Sequence, residues 1–161
     1  MRKVLVLLVV GVVVWGACSG SGGGKSINSA AELKEYLDKQ PANGPDKPIK
    51  VAMSANDLMI GSPDSSIAEV LMSASKYVSL DLSKSAGLTT IWFEHCETLV
   101  SIIIPSSVTA IEFENCPNLT SITFQGTVPS QCYVEGNLGD LAGGAAGTYT
   151  INTDSYTWTK R

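Results

Sequence analysis

At 161 residues the chain has the length of one domain, with room for a tail. Hydrophobic residues make up 44% of it and charged ones 16%, enough apolar material for a core, so wholesale disorder is excluded. Net charge is −4 and the only arginines, Arg2 and Arg161, stand at the extreme ends; with no basic patch or stripe, nucleic acid is set aside as a partner.

Arg2 and Lys3 form a positive start, Val4 to Val14 is apolar apart from Gly11, and Trp15, Gly16, Ala17 and Cys18 follow. This is the three-part layout of a secretory signal. The apolar run is shorter than the roughly 18 residues of a spanning helix; a short uncleaved anchor is the alternative. Gly16, Ala17 and Cys18 resemble the lipobox of a bacterial lipoprotein signal, with Trp15 where an aliphatic residue is usual. That resemblance implies a signal peptide over 1–17, lipidation at Cys18 and a flexible Gly/Ser tether over 18–26. Processing removes Arg2 and Lys3. The acidic remainder has no electrostatic reason to adhere to an anionic bilayer, so the expected membrane contact is the lipid at Cys18. The implied location is the bacterial cell envelope, and Ser19 is compatible with sorting to the outer membrane and from there to the cell surface.

Residues 27–76 read as an N-terminal cap of helices and a strand. Ser29 and Glu32 form a capping-box pattern, and Leu33, Tyr36 and Leu37 keep helical spacing, so a helix is expected from about 30 to 39. Pro41 stops it, and PANGPDKP is a loop. Ile49 to Met53 alternates as a strand does. A second capping box at Ser66 and Glu69 precedes a helix that ends near Ser75.

From Tyr77 the period changes. Five lines of the form apolar-x-x-aliphatic-x-apolar follow: Tyr77/Leu80/Leu82, Leu88/Ile91/Phe93, Leu99/Ile102/Ile104, Val108/Ile111/Phe113 and Leu119/Ile122/Phe124. Two consecutive lines make a 20-residue unit, and LTTIWFEHCETLVSIIIP returns as VTAIEFENCPNLTSITFQ. Residues 77–125 are therefore an internal repeat.

The only histidine, His95, lies in Glu94-His95-Cys96-Glu97. A carboxylate, an imidazole and a thiol suggest a metal site or a thiol dyad. The second unit keeps the cysteine and replaces the histidine, giving Glu114-Asn115-Cys116. Chemistry needs the imidazole; a repeat needs only a small apolar group. Neighbours on an extended chain also point to opposite sides. Cys96 and Cys116 are expected to be buried, free and stacked. A disulfide between them is the competing reading, since adjacent strands bring Cα atoms within bonding range. Cys132 has no repeat equivalent and is expected in a loop as an exposed thiol.

The pattern LxxIxFxxCxxLxxIxIP, carried by Leu88, Ile91, Phe93, Cys96, Leu99, Ile102, Ile104 and Pro105, resembles the bacterial BspA-like leucine-rich repeat. The resemblance implies a mostly β fold with short helices (α+β), arranged as a short solenoid of about two to two and a half 20-residue coils. Residues 27–76 and 126–161, the latter with strand-like TYTIN and YTWTK, would close its two ends. It further implies a cell-surface protein that binds host matrix or other cells. A periplasm-facing scaffold for an envelope partner is the second possibility.

Side chains alternating with the apolar lines should face outward. One face carries Ser79 and Asp81, Ser101 and Ile103, Ser121 and Thr123; the opposite face carries Thr90, Trp92 and Glu94, then Ala110, Glu112 and Glu114. The expected protein-binding positions are Trp92, Glu94, Glu112, Glu114, Asp81, Ile103 and Thr123, because aromatics concentrate at binding hot spots. Trp92 beneath a cap is the alternative. Glu94 and Glu114 should be neighbours, either as a solvated acidic surface or sharing a calcium ion. The glycine-rich GNLGDLAGGAAG lacks the lysine of a phosphate cradle and reads as a loop. No catalytic residue, resident metal or cofactor is expected, and the chain is read as a non-enzyme.

Overall fold

The computed structural model describes residues 27–53 and 67–161; the signal, Cys18, the tether and Ser66 lie outside these residues. Helix α1 spans Ala30–Asp38. Its N-terminus is closed as the sequence suggests: Ser29 Oγ accepts from Glu32 N at 3.2 Å. The Glu32 carboxylate reaches back one residue past the cap, accepting from Asn28 N at 2.9 Å. The first contact satisfies a donor that a helix start otherwise leaves open, and the second ties the residue before the cap to the first turn. Leu33 and Leu37 lie on the buried face. The loop that follows is fixed by Asn43, whose side chain donates to Tyr77 O at 2.8 Å and accepts from Tyr77 N at 3.1 Å. A side-chain amide thus stands in for a backbone strand partner.

Strand β1 is Ile49–Ala52, helix α2 is Ile67–Ala74 and strand β2 is Val78–Asp81. Then come β3 (Thr90–Glu94), β4 (Leu99–Ile104), β5 (Ala110–Glu114), β6 (Ser121–Phe124) and β7 (Gln131–Val134). A 3-10 turn occupies Leu138–Leu141, inside the glycine-rich segment expected to be a plain loop, and β8 (Gly147–Asn152) and β9 (Thr157–Lys160) end the chain. The fold is mixed α and β, mostly strands with a few short helices.

From β2 to β7 successive strands alternate between two sheets. One is six-stranded in the order β1-β2-β4-β6-β8-β9; the other is three-stranded, β3-β5-β7. The larger sheet is parallel from β1 to β6, and the smaller is parallel throughout. The register between β3 and β5 joins residues 20 apart: Ile91 with Ile111, Phe93 with Phe113. That between β4 and β6 does the same, Ile102 with Ile122. The repeat read in the sequence is therefore the pairing register itself.

Inward side chains of both sheets form one core, in which Leu80, Ile91, Phe93, Leu99, Ile102, Ile104, Ile111 and Ile122 are almost wholly buried. The Phe93 and Phe113 rings stack with centroids 5.8 Å apart. Each such side chain contributes roughly 1.5–3 kcal/mol on burial.

At the C-terminal end the direction changes. β8 runs antiparallel to β6 and β9 antiparallel to β8. This hairpin brings in Tyr149 and Trp158, both buried. Trp158 Nε1 donates to Glu135 O at 2.8 Å, its backbone N donates to Asn137 Oδ1 at 2.6 Å, and Tyr149 Oη donates to Ala145 O at 2.7 Å. The buried aromatic polar groups thus find partners in the segment that joins β7 to β8.

Two expectations about the repeat need correction. Cys132 is neither looped nor exposed. It lies on β7, pairs with Ile111 and is 8% exposed. It continues the column Ile91–Ile111, and Val134 continues Phe93–Phe113. The spacing here is 21 residues instead of 20, and a thiol replaces the aliphatic residue. Cys116 is only half-buried, whereas Cys96 is fully buried.

Candidate functional site

His95 has φ 54° and Asn115 has φ 50°, both left-handed. The same state recurs at Ser75 (φ 46°) and Gly136 (φ 90°), so the sequence positions 75, 95, 115 and 136 mark one recurring turn. Asn and Gly adopt this conformation at low cost; other side chains crowd the following carbonyl. Histidine is among the tolerated minority. His95 therefore occupies a position defined by its backbone. Its Nδ1 lies 3.5 Å from Glu94 Oε1, and its Nε2 accepts from Asn115 Nδ2 at 3.3 Å. Its side chain is 61% exposed, while Cys96 is wholly buried beside it. The left-handed turn sends the imidazole out and the thiol in, so Glu94, His95 and Cys96 do not converge. Among the described residues, no group of three or more His, Cys, Asp or Glu side chains could hold a metal ion.

Cys96, Cys116 and Cys132 are all free thiols. Burial raises the Cys96 thiol above its ordinary value. Burial likewise pushes Cys116 up to about 12 and Cys132 up to about 11. The Cys116 thiol donates to Glu114 O at 3.4 Å and, at 3.8 Å, to Phe93 O across the strand pair. None of the three has the electropositive surroundings that make a thiolate nucleophile.

The seven positions expected to bind a partner fall on two different surfaces. Asp81, Ile103 and Thr123 lie on the outer face of the larger sheet, in register on β2, β4 and β6. Much of this face bonds to itself. Ser101 Oγ donates to Ser79 Oγ at 2.7 Å, Thr123 and Thr148 hydroxyls meet at 2.9 Å, and Asp81 Oδ1 accepts from Ser83 N at 2.8 Å. Its hydroxyls and carboxylate largely hold strands and turns.

Trp92, Glu94, Glu112 and Glu114 lie on the outer face of the smaller sheet. Trp92 is 38% exposed, so among the described residues no cap encloses it. β5 places Glu112 beside Trp92, and β7 places Tyr133 on the other side of Glu112, 66% exposed. Tyr133 escaped the sequence reading because its strand has Cys132 where the apolar pattern calls for an aliphatic residue. The 21-residue offset from Glu112 is the signal that could have found it. Glu94 pairs with Glu114, and Glu135, exposed, follows Val134 at the end of β7. The strands themselves, TIWFE, AIEFE and QCYV, contain no lysine or arginine. The result is a flat row Trp92–Glu112–Tyr133 beside a column of carboxylates, carried on backbone fixed by strand pairing. Chemically it offers aromatic faces and hydrogen-bond acceptors.

No family model, curated protein or solved structure matches this chain.

Proposed function

We propose that this chain is a lipid-anchored envelope protein, attached at Cys18, whose repeat surface binds another protein. In this reading residues 77–125 form a short BspA-like, leucine-rich-repeat-like solenoid, closed by residues 27–76 and 126–161. Its role is adhesion, to host matrix or to other cells. The observation that carries the binding reading is the row Trp92–Glu112–Tyr133: two exposed aromatic side chains in register on one outer face. Isolated exposed aromatics are ordinary, but two held in line on paired strands present large contact area at low entropic cost. The reading is of a binding module and not an enzyme. It is supported by an outward, backbone-dictated His95 and by thiols held neutral.

The test is a pull-down with the lipid-free domain, starting at Lys25, against matrix proteins and envelope extract. A partner retained by the native domain and lost with Trp92→Ala/Tyr133→Ala supports the proposal. Equal retention by that variant overturns the assignment of the face. A periplasm-facing scaffold is the second reading, favoured by the small number of repeats. Protease treatment of intact cells separates the two: a domain protected until the envelope is opened rules out adhesion.

A further inference from the structure

We infer that the partner presents a lysine or arginine side chain that seats on Glu112 between the rings of Trp92 and Tyr133. The inference rests on the docking role proposed above and specifies its chemistry. Adjacent strands lie about 4.8 Å apart, so Trp92 and Tyr133, two strands apart, are separated at the backbone by roughly 10 Å. That spacing leaves room over Glu112 for one extended side chain to reach both aromatic residues, within the roughly 6 Å at which a cation is attracted to a ring. Glu112 forms the floor of the gap. Among the described residues no basic side chain pairs with it.

Charge complementarity selects the occupant. Glu94 and Glu114 stand side by side with Glu135 beyond, and like charges directly paired across strands are destabilising. Neither β3, β5 nor β7 supplies a compensating cation. A neutral sugar would stack on the rings and leave that repulsion in place. An extended basic segment relieves it: one cation at Glu112, a second near the glutamate column. Its carbon stem lies along the rings while its head reaches the carboxylate.

The probe is a capped penta-lysine peptide titrated into the isotope-labelled lipid-free domain, observing the Trp92 indole N–H. Expected are a shift at Trp92 with none at buried Trp158, weakening on added salt, and roughly tenfold weaker binding by Glu112→Gln. Asp46→Asn, in the loop before β1 of the larger sheet, should bind as the native domain does. Melting curves of Glu112→Gln should match the native protein, which separates lost recognition from lost folding. Equal binding by the acetylated-lysine peptide overturns the inference, as does an unchanged affinity in Glu112→Gln. A neutral oligosaccharide that moves the Trp92 signal when penta-lysine does not also overturns it, in favour of a sugar site. A partner lost with Trp92→Ala/Tyr133→Ala but held at full strength by Glu112→Gln leaves the docking face standing and refutes only its cationic occupant.

Discussion

Asn115 Nδ2 stands 3.3 Å from Nε2 of His95, and the two residues share one left-handed backbone state. Equivalent turns of consecutive repeats thus stack directly. Conformation, more than imidazole chemistry, decides what this position accepts. His95→Asn should keep or slightly raise stability in urea unfolding, whereas His95→Val should cost about 1–2 kcal/mol. A marked loss in His95→Asn would show that the imidazole itself is needed.

Ile111 lies between Ile91 and Cys132 in a column only three strands deep. Ile111→Ala leaves a cavity in contact with both neighbours and should cost about 2–5 kcal/mol. In so small a core that approaches the whole stability of a domain. Circular dichroism melts should show a large fall in midpoint or no cooperative transition. An unchanged midpoint would contradict the column.

Gly136 has φ 90°, and a Cβ there would approach Tyr156 O to 2.2 Å. Gly136→Ala therefore strains the turn and pushes the β8–β9 hairpin away from Trp158's contacts. A loss of at least about 1 kcal/mol is expected. Increased proteolysis between β8 and β9 is the direct readout, and a resistant hairpin would refute the packing.

The thiols make folding sensitive to alkali. Their folded values are raised, by burial, above the ordinary thiol value, to about 11 for Cys132 and about 12 for Cys116. A neutral thiol is favoured in the folded state, so this stability is complete below the ordinary value. It is lost as pH climbs from about 9 through the folded values. Unfolding midpoints should fall steadily above about pH 9, and Cys132→Ala should flatten part of that slope. Alkylation near pH 8 should be slow until denaturant is added. Rapid labelling of all three thiols in native protein would contradict their burial.

Glu94 and Glu114 are paired carboxylates on an exposed face. Glu114→Lys replaces repulsion with attraction and should raise stability by about 0.2–1 kcal/mol, less at high salt. The same change should weaken a basic partner. A variant that gains stability without losing partner binding would remove the glutamate column from the interface.

Several elements were legible because their signals are local. The capping box at Ser29 and Glu32 places α1, alternation places β1, and the 20-residue recurrence from Leu88 to Phe124 places β3 to β6 with their pairing register. β7 was missed because it needs a 21-residue step and carries a cysteine in an aliphatic column. With it went Tyr133, half of the aromatic row. Asp81 and Thr123 looked equivalent to Glu112 as outward polar residues. Their hydrogen bonds to Ser83 and Thr148 appear only once the turn closes and β8 arrives beside β6.

Taken alone, the amino-acid order determines which side chains turn inward, since a period of two along strands and of twenty between them follows from burying the same positions again and again. It also excludes His95 from shared chemistry, because the next unit replaces it. Only the tertiary structure decides which outward residues are free. That depends on what the antiparallel hairpin covers, and the hairpin is joined by contacts distant in sequence: Trp158 with Glu135, β8 with β6. Such contacts leave no periodic trace, because each is made once.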